Sequence, residues 1–98
     1  METELPKVLT SLISGELIPG ACVAITSNEI VTTPPGIVGI IGIRKSLAMR
    51  GLTIGATLVP SEWSGELSIQ LINHSNETVE IHKGDELVNI AYLVEMAG

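Results

Sequence analysis

Aromatic side chains are nearly absent from this chain of 98 residues, which has no phenylalanine, one tryptophan and one tyrosine. Its core must therefore be built from Ile, Val, Leu and Ala, and 45% of the residues are hydrophobic. Basic residues are also few, with 5 Lys and Arg against 11 Asp and Glu and a net charge of −6. This balance argues against a general nucleic-acid binder, because such a protein needs a basic surface to neutralise phosphates.

Cysteine and long apolar runs are scarce as well. Cys22 is the only cysteine, which excludes an internal disulfide, and its setting in the run ACVAI predicts a buried thiol. No run approaches the roughly 18 apolar residues that span a bilayer. The N-terminus has acidic residues and no basic region before its apolar part, so we expect no signal peptide and an intracellular, cytoplasmic location.

A chain of this length fits one domain, 1–98. So much aliphatic surface is hard to bury within one small protomer, and large exposed apolar patches usually mark interfaces. We therefore expect an oligomer, although a thoroughly packed monomer is the alternative.

Frequent turn signals separate short aliphatic runs, a pattern typical of an all-β barrel or sandwich. The run ELSIQLIN alternates, with Leu67, Ile69 and Leu71 on one face. The run GIVGIIGI is apolar on both faces, which predicts a strand covered on both sides. The predicted strands are ACVAITS, EIVTT, GIVGIIGI, LTIGATLV, ELSIQLIN, TVEIH and ELVNIAYLVEM.

Two stretches depart from the strand pattern. Residues 5–13 place apolar side chains at helical spacing after Pro6, so a short helix is possible, although a strand fits nearly as well. The run RKSLAMRG predicts one or two helical turns that end at Gly51. Because Arg44, Lys45 and Arg50 lie close together here, this segment either binds an anion or an acidic neighbour, or is a solvated loop.

Other chemistry has little support in the sequence. His74 and His82 have no Cys or carboxylate at ligand spacing, so we predict surface histidines and no metal. Ser46 has no evident His and Asp partners for a catalytic triad. No phosphate-cradling glycine loop is present, and no cofactor is predicted.

Four stretches follow, in order, the motifs of one family: LIPGACVAITSNEIVTTPPGIVGII, RKSLAMRG, GATLVPSEWSGELSIQLIN and IHKGDELVNIAYL. The second is similar to an Arg-Ser-Ser/Gly-Leu-Ala motif, the third to Gly-x-x-x-Ile-Asp-x-x-Tyr/Trp-x-Gly, and the fourth to Gly-Asp-x-Ile-x-Gln-Leu. Together they resemble the trimeric dUTPase and dCTP deaminase superfamily over residues 16–94. The resemblance implies a distorted β-barrel or jelly-roll protomer and a homotrimer.

The same resemblance implies that catalysis has been lost. The family's motif Asp, which orients water or recognises the sugar, is matched by Pro60, which cannot accept a proton. The general-base Glu of the deaminase branch is matched by Gln70, and the Gln of the fourth motif by Asn89. The hydrolases' glycine-rich C-terminal arm and N-terminal motif have no evident counterpart here.

What the resemblance leaves is a weak anion or nucleotide site. Arg44 and Ser46 fit the second motif, whereas Lys45 replaces its first Ser. Trp63 could stack on a base or wedge a turn against the barrel, and the missing Asp favours the wedge. The candidate ligand-binding residues are Arg44, Lys45, Ser46, Arg50, Trp63 and Gln70.

We therefore predict a non-catalytic, homotrimeric, dUTPase-like binding or assembly module of the kind that decorates viral capsids, located in the virion if it is viral. Its expected partners are its own copies and a larger assembly such as a capsid, with no general nucleic-acid or membrane binding. The alternatives are a nucleotide-binding regulatory protein and a divergent dUTP or dCTP hydrolase that uses Glu62 or Glu66 as its carboxylate.

Overall fold

A computed structural model describes residues 5–95, in which nine strands and one short helix follow one another along the chain. The elements are β1 (Val8–Thr10), β2 (Gly15–Leu17), β3 (Cys22–Thr32), β4 (Ile37–Ile43), α1 (Lys45–Ala48), β5 (Leu52–Ile54), β6 (Leu58–Val59), β7 (Ser64–Asn73), β8 (Val79–Ile81) and β9 (Glu86–Val94). The predicted all-β class is thus confirmed. Residues 96–98, on which the prediction of a missing C-terminal arm partly depends, lie outside the described residues.

The strands form three antiparallel sheets with the orders β1-β9-β4-β6, β3-β7-β5 and β2-β8. Together they enclose an aliphatic core in a distorted barrel, or jelly roll. Full burial of one Val, Leu or Ile side chain in this core contributes about 1.5–3 kcal/mol to the stability of the fold. The buried hydrophobic residues are Leu9, Leu17, Ile25, Val31, Ile41, Leu47, Leu52, Val59, Ile69, Leu71, Val79, Ile81, Leu87, Val88 and Ile90.

The long strand β7 has the predicted alternation. Ile69 and Leu71 are buried and Leu67 packs against the core, whereas Ser68 and Gln70 point outward. Its partner β3 is one strand, although the sequence predicts two runs separated by a turn at residues 28–29. The register shifts between Thr26 and Ile30 instead, and within this irregularity the Ser27 hydroxyl accepts a hydrogen bond from the Leu67 amide (2.9 Å).

The run LTIGATLV is divided into β5 and β6, which belong to different sheets, rather than forming one strand. The division falls at Gly55, whose amide donates to the Gln70 carbonyl (3.0 Å). After Gly55 the chain leaves β7 and continues as β6, which pairs with β4. A Cβ at position 55 would displace the exposed end of the Gln70 side chain, so the glycine lets Gln70 lie across the backbone at this crossing.

The N-terminal segment is a strand and not the short helix considered for residues 5–13. Val8 and Leu9 pair with Asn89 and Val88 of β9, and Leu9 is fully buried. Apolar residues at these positions satisfy either geometry, and pairing with β9 decides in favour of the strand.

The prediction that Cys22 is buried is wrong for the protomer, since the thiol is exposed. Cys22 is the first residue of β3 and pairs with Ile72 at the end of β7. The inward positions that follow on β3 are Val23, which packs against the core, and Ile25, which is buried. The apolar run ACVAI therefore has one face in the core and one face outside.

The prediction that β4 is covered on both sides also fails within one chain. Ile41 faces the core, whereas Ile40 is 42% exposed and is flanked by Leu58, which is 62% exposed. We call this surface the outer face. It comprises the outward positions of β4, β6 and β9, namely Val38, Ile40, Gly42, Leu58, Asn89, Ala91 and Leu93.

The predicted helical turn in RKSLAMRG is confirmed as α1, with Leu47 as its buried anchor. The helix ends at Ala48, and the turn that follows it closes at Gly51, which has φ 89°; a Cβ there would lie 3.0 Å from Ser75 Cβ. Glycine is therefore favoured by both backbone conformation and space. Within residues 5–95 no helix is long and apolar enough to cross a membrane.

Candidate functional site

The Arg44 side chain is already engaged within its own chain. Arg44 lies between β4 and α1, and its Nη1 donates to Asn89 Oδ1 at 2.8 Å. Its Nη2 is 3.6 Å from Glu86 Oε1, a partly exposed ion pair. A regular strand places alternate side chains on one face, but the pairing of β9 with β1 shifts register between Val88 and Glu86. Glu86 and Asn89, three residues apart, therefore both reach the guanidinium. An anion would therefore compete with Glu86 for Arg44.

A shallow cavity of about 270 Å³ lies beside Arg44. Its charged lining consists of two guanidinium groups and two carboxylates, so their charges balance at neutral pH. The lining residues are Arg44, Ser46, Leu47, Arg50, Asp85 and Glu86. We call the candidate ligand residues at this end, Arg44, Lys45, Ser46 and Arg50, the Arg44 cluster. The cavity brings together three of them, whereas Lys45 is exposed and is not part of the lining.

Trp63 ends a tight turn, residues 60–63, which connects β6 to β7 and which we call the Trp63 turn. The Thr33 hydroxyl donates to the Pro60 carbonyl (2.7 Å) and accepts from the Trp63 amide (2.9 Å). Pro60 thus presents a ring and a carbonyl that is already hydrogen-bonded. Trp63 is 38% exposed, and a Cβ on Gly65 would lie 3.9 Å from its Nε1, so the indole packs beside the Gly65 backbone.

Two carboxylates lie in or near this turn, and both are exposed. Glu62 has φ 59°, the left-handed region that non-glycine residues seldom adopt. Glu66 lies two residues into β7 and pairs with Ile30 of β3. Neither occupies position 60, which the family resemblance equates with the motif Asp.

Gln70 belongs to neither group. It points outward from β7, opposite Ala24 of β3, and its side chain lies across Gly55. Its neutral amide can donate and accept hydrogen bonds but cannot act as a base.

The structure does not bring the predicted site residues together within one chain. Val59 pairs with Gly39 on β4, so Pro60 lies beside the beginning of that strand, whereas Arg44 follows its end. Pro60 and Arg44 are thus separated along β4 by about six residues, which at ~3.3 Å each correspond to roughly 20 Å. The Arg44 cluster and the Trp63 turn are therefore two separate half-sites in the protomer.

The partners of these half-sites could not be read from the sequence. Thr33 is 27 residues from Pro60 and 30 from Trp63 along the chain. A threonine before two prolines indicates a turn but carries no signal of such remote partners. The pairing of Glu86 and Asn89 with Arg44 likewise depends on the alignment of β4 with β9.

The two histidines are exposed near turns, as predicted. His74 Nε2 lies 2.8 Å from Thr53 Oγ1, and His82 Nε2 is 3.7 Å from Glu80 Oε2. In the part of the chain that the structure describes, no group of three or more His, Cys, Asp and Glu residues could hold a metal ion.

A family model described as dUTPase matches residues 9–96 of the chain. The chain belongs to the dUTPase and dCTP deaminase superfamily. A dCTP deaminase of Thermococcus kodakarensis is 33% identical over 75 residues, covering 76% of this chain and 48% of the relative. A deoxyuridine 5'-triphosphate nucleotidohydrolase of Kluyveromyces lactis is 36% identical over 76 residues, covering 76% of this chain and 51% of the relative. This superfamily member thus spans about half the length of the curated relatives it matches.

Solved structures of dUTPases share its fold. The EIAV dUTPase superposes with a TM-score of 0.83 at 16% identity, covering 93% of this chain and 76% of the viral one. The dUTPase of the S. aureus phage phi11 gives a TM-score of 0.84 at 18% identity, covering 100% of this chain and 81% of the phage chain. At these identities the likeness concerns the fold alone.

Proposed function

We propose that this chain is a non-catalytic, homotrimeric dUTPase-like module that binds a pyrimidine deoxynucleotide between its copies without turning it over. The observation that carries the proposal is the separation of the Arg44 cluster from the Trp63 turn by the length of β4. One protomer cannot apply both half-sites to one small ligand, whereas neighbouring copies can.

The absence of turnover is supported by the side chains at the two positions that the resemblance equates with catalytic carboxylates. Pro60 has no side-chain proton acceptor, and its carbonyl is bonded to Thr33. Gln70 has no basic form near neutral pH. General acid–base chemistry needs a group that can exchange a proton at the operating pH.

The homotrimer is supported by the composition of the outer face, none of whose residues carries a charge. Exposed faces of antiparallel sheets are ordinarily polar, and monomers seldom leave contiguous apolar patches uncovered. A second copy is the occupant that fits, because Arg44 reaches Asn89 at the edge of this face. Covering the outer face with a neighbouring copy would thus place other residues next to the Arg44 cluster.

A pyrimidine deoxynucleotide is proposed as the ligand because the relatives are named dCTP deaminase and deoxyuridine 5'-triphosphate nucleotidohydrolase. The two half-sites suit the two ends of such a ligand. Arg44 and Arg50 can meet phosphate oxygens, and the Trp63 indole can meet a planar ring. Since Glu86 already pairs with Arg44, we expect weak binding.

Assembly can be tested with two matched variants. Leu58 lies on the outer face and is 62% exposed, whereas Ile18 lies elsewhere and is 61% exposed. We expect Leu58→Lys to convert the trimer to monomer in sedimentation equilibrium, because a lysine ammonium would be buried unpaired, and Ile18→Lys to remain trimeric. A monomeric parent protein, or equal behaviour of the two variants, would contradict the assignment.

Binding and turnover are separated by two measurements. Because a ligand that binds only the folded state raises the melting temperature, we expect dUMP, dUTP or dCTP with Mg²⁺ to raise it, and Arg44→Ala to remove the effect. Incubation with dUTP or dCTP should release neither pyrophosphate nor ammonia. No thermal shift with any of the three nucleotides at millimolar concentration would refute the binding function.

A divergent hydrolase is the second candidate, and the backbone of Glu62 favours it. Strained non-glycine residues often lie at functional sites, and Glu62 lies two residues after Pro60 in the Trp63 turn. If dUTP is hydrolysed, Glu62→Gln should abolish the activity. Glu77→Gln, which changes an exposed carboxylate in another loop, should leave it intact.

A role in decorating a viral capsid requires more than trimer formation and stays a prediction. It requires a partner other than the chain's own copies. The genes beside this one, whether capsid or replication genes, would distinguish a structural role from a role in nucleotide metabolism.

A further inference from the structure

Thr33 is joined to both ends of the Trp63 turn. Only 2% of its surface is exposed. Its hydroxyl donates to the Pro60 carbonyl and accepts from the Trp63 amide, at 2.7 and 2.9 Å. Its own amide donates to the Trp63 carbonyl at 2.8 Å. Three hydrogen bonds from one buried residue therefore fix the first and last residues of a four-residue turn.

The turn needs such a constraint because its backbone is not relaxed. Glu62, between the two fixed ends, has φ 59°. A left-handed residue with a side chain persists only where the surrounding structure over-determines it. The indole of Trp63 is held on one side by the Gly65 backbone and is otherwise partly open to solvent.

We propose that Thr33 is a positioning residue, whose hydroxyl holds the Trp63 indole as a preformed stacking surface for the planar base of the ligand. Aromatic rings stack favourably on planar ligand rings, and a side chain already fixed in position loses little freedom on binding. The ligand part of this inference rests on the proposed nucleotide binding. The positioning part concerns the turn alone and can be measured without a ligand.

Intrinsic fluorescence reports on this residue directly, since Trp63 is the only tryptophan. Thr33→Val preserves the branched shape and removes the hydroxyl, whereas Thr33→Ser keeps the hydroxyl. The control is Thr32→Val, which removes an exposed hydroxyl one position earlier, 3.2 Å from Ser64 Oγ. Circular dichroism establishes that each variant is folded.

We expect Thr33→Val to shift Trp63 emission to longer wavelength and to raise its acrylamide quenching constant at least twofold. Binding of dUMP, followed by the same fluorescence, should weaken about tenfold. Thr33→Ser and Thr32→Val should both resemble the parent protein. Unchanged emission and quenching in Thr33→Val would overturn the positioning role.

Hydrogen exchange in the parent protein keeps the inference testable if Thr33→Val does not fold. The Trp63 amide, bonded to the Thr33 hydroxyl, should exchange at least tenfold more slowly than the neighbouring Glu62 amide after correction for intrinsic rates. Equal exchange would refute the hydroxyl contact. A parent protein whose emission is insensitive to dUMP at millimolar concentration would refute base stacking and leave the exchange result to decide the positioning role.

Discussion

Removing the Asn73 side chain should cost this protein a large part of its stability. Asn73 is the last residue of β7 and is fully buried. Its Nδ2 donates to the carbonyls of Leu17 (2.9 Å) and Glu77 (2.8 Å). Its Oδ1 accepts from the amide and the hydroxyl of Ser75, at 2.9 and 2.7 Å. One amide thus connects β2, β7 and the loop before β8.

The magnitude follows from the groups that Asn73→Ala would leave without partners. A buried polar group without a hydrogen bond costs about 1–3 kcal/mol. The Leu17 carbonyl is deeply buried and bears this cost in full, whereas Glu77 and Ser75 lie nearer to water and can be partly rehydrated. We therefore expect a loss of about 3 kcal/mol, against a typical total of about 5–15 kcal/mol for a small domain. The melting temperature should fall by about 12–24 °C.

The measurement is denaturant unfolding at fixed protein concentration, since the apparent stability of an oligomer depends on concentration. Asn76→Ala is the matched control, because Asn76 is an exposed asparagine in the same loop. It should change the free energy of unfolding by no more than about 0.5 kcal/mol. A loss below about 1 kcal/mol for Asn73→Ala would show that these hydrogen bonds do not stabilise the loop.

Two further predictions concern single groups. Glu62→Gly should raise the melting temperature by about 3–6 °C, because relief of about 1–2 kcal/mol of left-handed strain exceeds the entropic cost of glycine, about 0.5–1 kcal/mol, and leaves a net gain of about 0.75 kcal/mol; a decrease in a thermal melt would contradict this. Burial raises the pKa of the Tyr92 phenol above its ordinary value of 10.0, so the phenolate absorbance of this only tyrosine should appear at higher pH in the folded than in the unfolded protein. Because the folded state holds this proton more tightly, the associated stability is fully present below pH 10.0 and is lost as the pH rises through the raised pKa; a folded-state midpoint at or below 10.0 would disprove the effect.

The local sequence was sufficient where one physical signal dominated. Alternation along β7 predicted which side chains face the core, because successive residues of a strand point to opposite faces. The stop of the helical segment RKSLAMRG was predicted from Gly51, which closes the turn after α1 in a conformation that other residues seldom adopt. The order of the motifs, carried by turns and glycines, predicted the superfamily.

Other features were decided by contacts between residues remote in sequence. The spacing in residues 5–13 fits a helix or a strand, and only pairing with β9 selects β1. The apolar run of β4 predicts burial on both sides, but a single chain covers one side and leaves Ile40 exposed. The residues of the proposed site are likewise identifiable by type, whereas their separation along β4 is not.

The amino-acid sequence by itself thus determined the strand-rich class, the short helical turn and the superfamily, since these depend on local periodicity, on backbone preference and on motif order. Tertiary structure alone determined that Arg44 is paired with Glu86 and Asn89, that Thr33 fixes the Trp63 turn, and that the two half-sites lie apart. The physical reason is that a hydrogen bond or an ion pair forms between groups a few ångströms apart in space, and sequence distance does not set that separation.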